Sequence, residues 1–298
     1  MRLVTYESNG NWHAGILVGD NVVDSTVAAT AVNIDFDAEW ISNREIIRFN
    51  PGQLSQFERA ALDVHKAHPS DLAVFPITDA RLGPPIPDPD KIICLGLNYK
   101  SHAEEAGFTP PETPILFAKY RNALTGPNSP ILLPAMSEEI DYEAELAVVI
   151  GQQGKNVSVA DALNCVAGYM ALNDVSARDL QFRTGQWLSG KTLDTFAPCG
   201  PALVINEIND PQNLNMSTRI NGQTLQQSNT CNMIFPIAEI LSHISQLMTL
   251  EPGDIIATGT PEGVGFKRNP PIFLHDGDLV EVEIEGIGRL RNPVVQNT

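Results

Sequence analysis

The sequence is poor in positive charge. Its 298 residues hold 19 Lys and Arg against 36 Asp and Glu, which gives a formal net charge of −17. A nucleic-acid binder needs the opposite balance, and an anionic membrane surface would repel this chain. We therefore expect neither partner. If the substrate is an anion, a local positive charge such as a bound cation must reverse the field at the site.

Cysteines and long apolar runs are also scarce. The spacing of Cys94, Cys165, Cys199 and Cys231 fits neither a zinc knuckle nor a CxxC redox pair. Free, mostly buried thiols in a reducing compartment are the simplest interpretation. No apolar run approaches the ~18 residues of a membrane span, and the N-terminal residues resemble neither a secretory signal nor a transit segment. We expect a soluble, cytoplasmic protein.

Glycine and proline are plentiful, with 22 of each, which favours a turn-rich and strand-rich fold. Residues 1–80 show short strand patterns and one helical pattern, and predict a small α+β domain. Residues 81–90 contain four prolines and predict an extended linker. From residue 91 to 298 strand patterns dominate, with one clear helix beginning at Pro236 and a hairpin turn at Asn221-Gly222. The fold class is therefore mainly β (α+β).

Two carboxylates begin an apolar segment, where Glu143-Ala144-Glu145 leads into Leu146–Ile150. Residues i and i+2 share one face of a strand, so both side chains point the same way. Like charges this close repel each other, and each is costly to bury, unless a cation lies between them.

A third carboxylate, Asp174, ends the apolar segment Ala167–Leu172. Three carboxylates without His or Cys form a hard, all-oxygen site that favours Mg²⁺, Mn²⁺ or Ca²⁺ over zinc. Such an ion keeps about three open positions, which suit a water and a chelating 2-oxo acid. Spacing does not establish that Asp174 joins Glu143 and Glu145, because the segments are far apart in sequence.

Six separated motifs resemble the fumarylacetoacetate hydrolase family and stand in that family's order. They are Gly96-Leu97-Asn98-Tyr99, His102, Glu143-Ala144-Glu145-Leu146, Asp174-Val175-Ser176-Ala177-Arg178-Asp179, Gly190-Lys191 and Gly259-Thr260-Pro261-Glu262-Gly263-Val264-Gly265. The N-terminal module and Lys191-Thr192-Leu193-Asp194-Thr195-Phe196 look most like one subgroup, the domain-containing protein 2 type. The resemblance then covers nearly the whole chain.

The resemblance implies a β-roll or distorted β-barrel catalytic domain, usually in a homodimer. It also implies that Glu143, Glu145 and Asp174 are metal ligands, and that Lys191 faces the substrate as an electrophile. An ammonium there would supply charge where an oxyanion develops.

The resemblance places His102 and Glu105 on a mobile lid. Glu105, three residues after His102, can accept a hydrogen bond from one imidazole nitrogen, while the other nitrogen moves a proton. An exposed histidine on a short helix is the alternative interpretation.

Arg178, Gln181 and Thr260 resemble the family's substrate-contacting positions. Arg178 could equally form a structural ion pair. The Gly259–Gly265 segment lacks the Gly-Lys-Ser/Thr of a phosphate-binding loop, and the resemblance makes it a backbone cradle for a substrate carboxylate.

The family's reactions share an enolate of a 2-oxo acid. The closest subgroup implies oxaloacetate keto–enol tautomerisation. C–C hydrolysis of an acylpyruvate such as fumarylpyruvate and decarboxylation of oxaloacetate are the alternatives. A metal-binding protein of the same fold with little catalysis is a further alternative, although His102, Glu105 and Lys191 are all present.

Overall fold

The computed structural model describes residues 1–36, 41–67 and 73–296. The strands, in chain order, are β1 (Arg2–Ser8), β2 (Asn11–Val18), β3 (Asn21–Asp24), β4 (Val74–Pro76), β5 (Leu82–Gly83), β6 (Ile92–Gly96), β7 (Ile115–Lys119), β8 (Leu124–Thr125), β9 (Ile131–Leu133), β10 (Ile140–Asp141), β11 (Ala144–Ile150), β12 (Val166–Asn173), β13 (Ser176–Ala177), β14 (Ala197–Val204), β15 (Asn215–Ile220), β16 (Gln223–Asn229), β17 (Ile255–Ala257), β18 (Leu279–Ile284) and β19 (Gly288–Gln296).

The helices are short apart from two. In chain order they are α1 (Ser25–Ala31), α2 (Asn43–Ile46), α3 (Pro51–Ala67), α4 (Lys100–Ala106), α5 (Arg178–Gln181), α6 (Leu188–Lys191) and α7 (Ile237–Leu247). Over the described residues, none has both the length and the hydropathy that a membrane-spanning segment requires. The predicted helix after Pro236 is confirmed as α7, and its apolar side chains Ile237, Ile240, Leu241 and Ile244 are buried, whereas Leu247 at its end is exposed.

One large sheet crosses the molecule in the order β4-β3-β2-β1-β14-β12-β11-β17-β6-β7. Its central strands β11 and β12 are apolar almost throughout because neighbouring layers cover both of their faces. They pair antiparallel, with Ala144 opposite Asn173 and Glu145 opposite Leu172. This register brings Asp174, which follows β12, beside Glu143, which precedes β11.

The N-terminal strands join this sheet directly, because β1 pairs with β14 as well as with β2. One hydrophobic cluster therefore contains side chains from both sides of the predicted boundary, such as Leu3 and Leu172. The proline-rich residues 81–90 are packed rather than free: β5 pairs with β1, and Ile86 is fully buried. The division into residues 1–80 and 91–298 stays a prediction.

A five-stranded sheet, in the order β16-β15-β18-β19-β9, lies beside the large one. The predicted turn at Asn221-Gly222 connects β15 to β16, with φ values of 51° and 81° that match a type I′ hairpin. Side chains from this sheet, such as Val282, pack with Leu146 of β11 in a second hydrophobic cluster. The end of β11 that carries the carboxylates is thereby enclosed.

Candidate active site

Glu143, Glu145 and Asp174 meet in the interior, each offering a carboxylate oxygen within 4.8 Å of the others. All three are buried, and Glu145 and Asp174 have no exposed surface. Backbone contacts fix the arrangement: the Asp174 N–H donates to the Glu143 carbonyl at 2.9 Å, and the Glu143 N–H donates to Asn173 Oδ1 at 2.9 Å. The predicted pair of glutamates and the predicted third carboxylate are therefore neighbours in the structure.

The donor set fits a hard divalent cation. Glu145 accepts a hydrogen bond from the Gly259 N–H at 2.8 Å through Oε2. Its other oxygen, Oε1, is buried without a hydrogen-bond partner among the described residues. A buried, unpaired carboxylate oxygen is costly unless a cation compensates it. An oxygen-only cluster is the kind that Mg²⁺, Mn²⁺ and Ca²⁺ prefer.

Three buried cations surround the cluster. Lys191 donates to Glu143 Oε2 at 2.8 Å and to Asp174 Oδ2 at 2.7 Å. Arg178 Nη2 lies 2.7 Å from Glu143 Oε1, and Lys119 Nζ lies 2.7 Å from Asp174 Oδ1. Glu145 is the carboxylate of the cluster for which the described residues show no ion pair.

The buried charges nearly balance. When all of these groups are ionised, Asp141, Glu143, Glu145 and Asp174 contribute four negative charges and Lys119, Arg178 and Lys191 contribute three positive ones, so the sum is −1. A divalent cation changes this sum to +1. The site would then attract an anion although the whole chain carries −17.

The pKa values of the two glutamates in the cluster are shifted in opposite directions. Burial, with the charges of Asp174 and Glu143, raises the pKa of Glu145 well above its usual range. Burial also acts to raise the pKa of Glu143, but Lys191 and Arg178 overcome it and hold that pKa below its usual value. Burial acts to lower the pKa of Lys191, whereas Asp174 and Glu143 raise it above the usual value. Glu145 is thus the carboxylate whose charge most needs a cation.

His102 and Glu105 lie on α4, one helical turn apart. His102 Nδ1 is 3.7 Å from Glu105 Oε2, which is longer than a hydrogen bond. Within the described chain, Nδ1 is buried without a hydrogen-bond partner. Glu105 instead accepts from the Gly263 N–H at 3.0 and 3.1 Å. Burial acts to raise the pKa of Glu105, but the nearby imidazole and this N–H lower it.

Two contacts attach α4 to the Gly259–Gly265 segment. One is the Glu105–Gly263 hydrogen bond, and the other is donated by the Ser101 hydroxyl to Glu262. Gly259 has a φ of +96°, and a Cβ there would lie 2.7 Å from the Asn98 side chain, so this close approach requires glycine. The segment therefore contacts both Glu145 and α4.

A narrow cavity lies between α4 and the carboxylates, and its lining includes His102, Glu143, Lys191, Arg178 and Thr260. Its volume of about 30 Å³ is room for one or two water molecules. A substrate with several carbon atoms therefore fits only if one side of this cavity moves. Half of the remaining lining residues are aromatic: Phe108, Phe117, Phe182, Trp187 and Phe266.

The three predicted substrate-contacting residues also reach this cavity. Thr260 Oγ1 accepts from Gln226 Nε2 at 2.9 Å, which leaves its O–H free to donate. Gln181 Oε1 accepts from Arg178 Nη1 at 3.0 Å, so its amide NH₂ faces other partners. Arg178 is engaged by protein carboxylates, which matches the structural ion pair that the sequence left open.

Sequence reasoning missed Lys119 and Asp141. Lys119 ends the apolar strand β7 and donates to the carbonyls of Val175 at 3.0 Å and Phe196 at 2.7 Å, besides its ion pair with Asp174. Asp141 continues the alternation of Glu143 and Glu145 by two residues, and that pattern was available in the sequence.

The four cysteines are free, and three of them are buried, as expected. The thiol of Cys94 lies close enough to the cluster that Asp174 and Glu145 add to the effect of burial, and its pKa is raised well above the usual range. It is therefore a neutral thiol.

Residues 91–295 match the family described as Fumarylacetoacetate (FAA) hydrolase C-terminal. A Dictyostelium discoideum protein named fumarylacetoacetate hydrolase domain-containing protein 2 homolog is 54% identical over 232 residues, covering 74% of this chain and 76% of that one. A Rattus norvegicus protein named oxaloacetate tautomerase Fahd2a, mitochondrial, is 46% identical over 244 residues, covering 81% of this chain and 78% of that one. Because that name carries a mitochondrial location, the cytoplasmic location expected here stays a prediction.

Among solved structures, fumarylacetoacetate hydrolase from psychrophilic Exiguobacterium antarcticum superposes with a TM-score of 0.82 at 36% identity, covering 100% of both chains. The expected fold class, mainly β (α+β) of the fumarylacetoacetate hydrolase type, is confirmed.

Proposed function

The chain belongs to the fumarylacetoacetate hydrolase family, and from that premise we propose that it catalyses keto–enol tautomerisation of oxaloacetate with Mg²⁺ or Mn²⁺. Glu143, Glu145 and Asp174 would hold the metal. The observation that carries the proposal is the buried carboxylate cluster facing a cavity lined by His102 and Lys191. The name of the rat relative supports oxaloacetate as the substrate.

The metal has a defined task in this proposal. Bound Mg²⁺ or Mn²⁺ would draw electron density from the ketone oxygen of a 2-oxo acid and so favour loss of a proton from the adjacent carbon. The all-oxygen donor set and the unpaired Glu145 Oε1 support such an ion.

The side chains of this chain move the proton and hold the substrate. His102, which lines the cavity, takes the proton from C3 of the keto form, and its imidazolium then gives that proton to the C2 oxygen to complete the enol; the reverse direction runs the two transfers backwards. Lys191 supplies positive charge where the C2 oxygen becomes negative. The Thr260 hydroxyl donates to a substrate carboxylate, and the Gln181 amide does the same. Phe108 and the other aromatic side chains exclude bulk water.

Absorbance of enol-oxaloacetate tests the proposal. We expect the purified chain with Mn²⁺ to accelerate the approach to keto–enol equilibrium well beyond buffer with the same Mn²⁺. Chelation should remove the acceleration, and added Mg²⁺ or Mn²⁺ should restore it, which also ranks the two metals. No acceleration over the metal-containing buffer would refute tautomerisation.

Hydrolysis of a C–C bond in an acylpyruvate is the second candidate. Similarity to a solved structure named fumarylacetoacetate hydrolase favours this hydrolysis. Release of pyruvate from fumarylpyruvate separates the two reactions, because a tautomerase releases none. Release of CO₂ from oxaloacetate in the same assay would identify a decarboxylase.

A further inference from the structure

Asp141 is a buried carboxylate that belongs to neither the metal cluster nor the cavity lining. Its Oδ1 accepts from the N–H of Gly265 at 2.7 Å and from its neighbour Tyr142 at 2.8 Å. Its Oδ2 accepts from Arg178 Nε at 2.8 Å and from the Phe266 N–H at 3.1 Å. With both oxygens occupied and no exposed surface, Asp141 is placed to orient other groups rather than to bind a ligand.

Arg178 links Asp141 to the carboxylate cluster. Its Nε and Nη2 face Asp141, and the same Nη2 lies 2.7 Å from Glu143 Oε1. The Phe266 ring covers the guanidinium, with the ring centre 4.3 Å from Cζ. Asp141 therefore holds one edge of the Arg178 guanidinium, and Phe266 covers one face. From that fixed position Arg178 forms an ion pair with Glu143.

We infer that Asp141 is a positioning residue that sets the metal affinity by anchoring Arg178 against Glu143 and against the loop at Gly265 and Phe266. The inference rests on the proposed role of Glu143 as a metal ligand. Without Asp141, Arg178 loses the partner that fixes its edge, and the position of Glu143 is then less well defined for a cation.

The substitution Asp141→Asn isolates this role, because asparagine keeps the size of the side chain. Its oxygen can still accept from Gly265, but its NH₂ would face the Arg178 and Phe266 donors. Arg178 would lose its anchor and pair with Glu143 alone. We expect the Kd for Mn²⁺, measured by calorimetry on the full chain, to rise about 10- to 100-fold, the range for residues that orient metal ligands.

Asp254→Asn is the matched control. Asp254 is also fully buried and bonded to a cation and to backbone N–H groups: Lys91 Nζ lies 2.8 Å away, and the Glu251 N–H donates at 2.7 Å. It immediately precedes β17, at the far end of that strand from Gly259. We expect this variant to lower thermal stability while leaving the Kd for Mn²⁺ unchanged.

A double-mutant cycle with Arg178→Gln tests whether Asp141 acts through Arg178. Once Arg178 is removed, Asp141→Asn should change the Kd for Mn²⁺ by less than about threefold. If Asp141→Asn fails to fold, Phe266→Leu replaces it, since this change removes the ring beneath Arg178 and keeps the Phe266 N–H. A two- to tenfold higher Kd is then expected, about the worth of one cation–π contact.

The outcomes separate this inference from the proposed function. Wild-type chain that binds no Mn²⁺ would refute the proposed metal site itself. If the wild type binds Mn²⁺ and Asp141→Asn has the same Kd, the positioning role alone is overturned. The same holds for Phe266→Leu where that variant replaces Asp141→Asn. The full effect of Asp141→Asn persisting in the Arg178→Gln background would overturn it too. A raised Kd that vanishes in that background supports it.

Discussion

The two walls of the cavity are built differently. The carboxylate wall contains Glu143, which lines the cavity and belongs to the cluster with Glu145 and Asp174; buried cations hold two of these three carboxylates. The helix wall is α4, from which His102 lines the cavity, and it is attached to the Gly259–Gly265 segment by two side-chain contacts. Its imidazole Nδ1 has no hydrogen-bond partner among the described residues.

This difference suggests a division of labour. A metal site gains from ligands that are fixed before the metal arrives, and the carboxylate wall is fixed by the sheet itself. A cavity of about 30 Å³ must open to admit substrate, and α4 is joined to the Gly259–Gly265 segment by two side-chain hydrogen bonds. We expect changes in the carboxylate wall to alter metal binding and turnover together, and changes in α4 to alter turnover alone.

The largest effect should come from Glu145→Gln. The substitution removes the carboxylate that has no ion pair, so the Kd for Mn²⁺ should rise more than about 100-fold, beyond the effect of residues that only orient ligands. Metal-dependent activity should be lost.

Without metal, the melting temperature should hold or rise, because the substitution removes a carboxyl group whose ionisation is disfavoured by burial, Asp174 and Glu143. Calorimetry with Mn²⁺ and thermal melts measure these quantities; tight Mn²⁺ binding by the variant would contradict the account.

His102→Gln should have the next largest effect. If His102 moves the proton, kcat should fall about 100- to 10,000-fold. The Kd for Mn²⁺ should change less than about threefold, because the histidine lies on the other wall of the cavity. A steady-state assay and calorimetry on the same preparation compare the two. Equal losses in metal affinity and in kcat would contradict the claim that the two walls have separate roles.

Ser101→Ala should have the smallest effect. It removes one of the two contacts that hold α4 to the Gly259–Gly265 segment. A net hydrogen bond is worth about 0.5–1.5 kcal/mol, so we expect a two- to tenfold fall in kcat/KM and faster amide exchange in α4. Metal affinity should not change.

Ser158→Ala serves as its control, since that hydroxyl makes the same kind of bond to Asp161, at 2.6 Å, on the surface. We expect no change in kcat/KM or in α4 exchange in the control. Equal effects of the two serine variants would mean that the α4 contact has no particular role.

The sequence predicted the local features of this site well. The shared face of Glu143 and Glu145 follows from strand geometry, and α7 follows from helical spacing, whereas the grouping of His102 with Glu105 came from the family resemblance. Asp174 required the family resemblance, because the antiparallel register of β11 and β12 decides its position. The contact of Glu105 with Gly263 joins residues 158 positions apart, and no local pattern carries that information.

Lys119 illustrates the remaining gap. Its position at the end of an apolar strand looks like an ordinary strand terminus, yet its ammonium is buried against Asp174 and backbone carbonyls. Burial lowers its pKa although Asp174 opposes the change. Whether a lysine at a strand end is buried depends on which segments pack over it, and that is a property of the folded chain.

The most direct test of the central claim is anomalous diffraction from a crystal of the chain soaked in Mn²⁺. The account predicts one strong peak within about 2.0–2.6 Å of a carboxylate oxygen from each of Glu143, Glu145 and Asp174, the range spanned by Mg²⁺ and Ca²⁺ ligands. The same soak of Glu145→Gln should show no peak there. A peak elsewhere, or Lys191 still bridging Glu143 and Asp174 with no Mn²⁺ beside Glu145, would contradict the account.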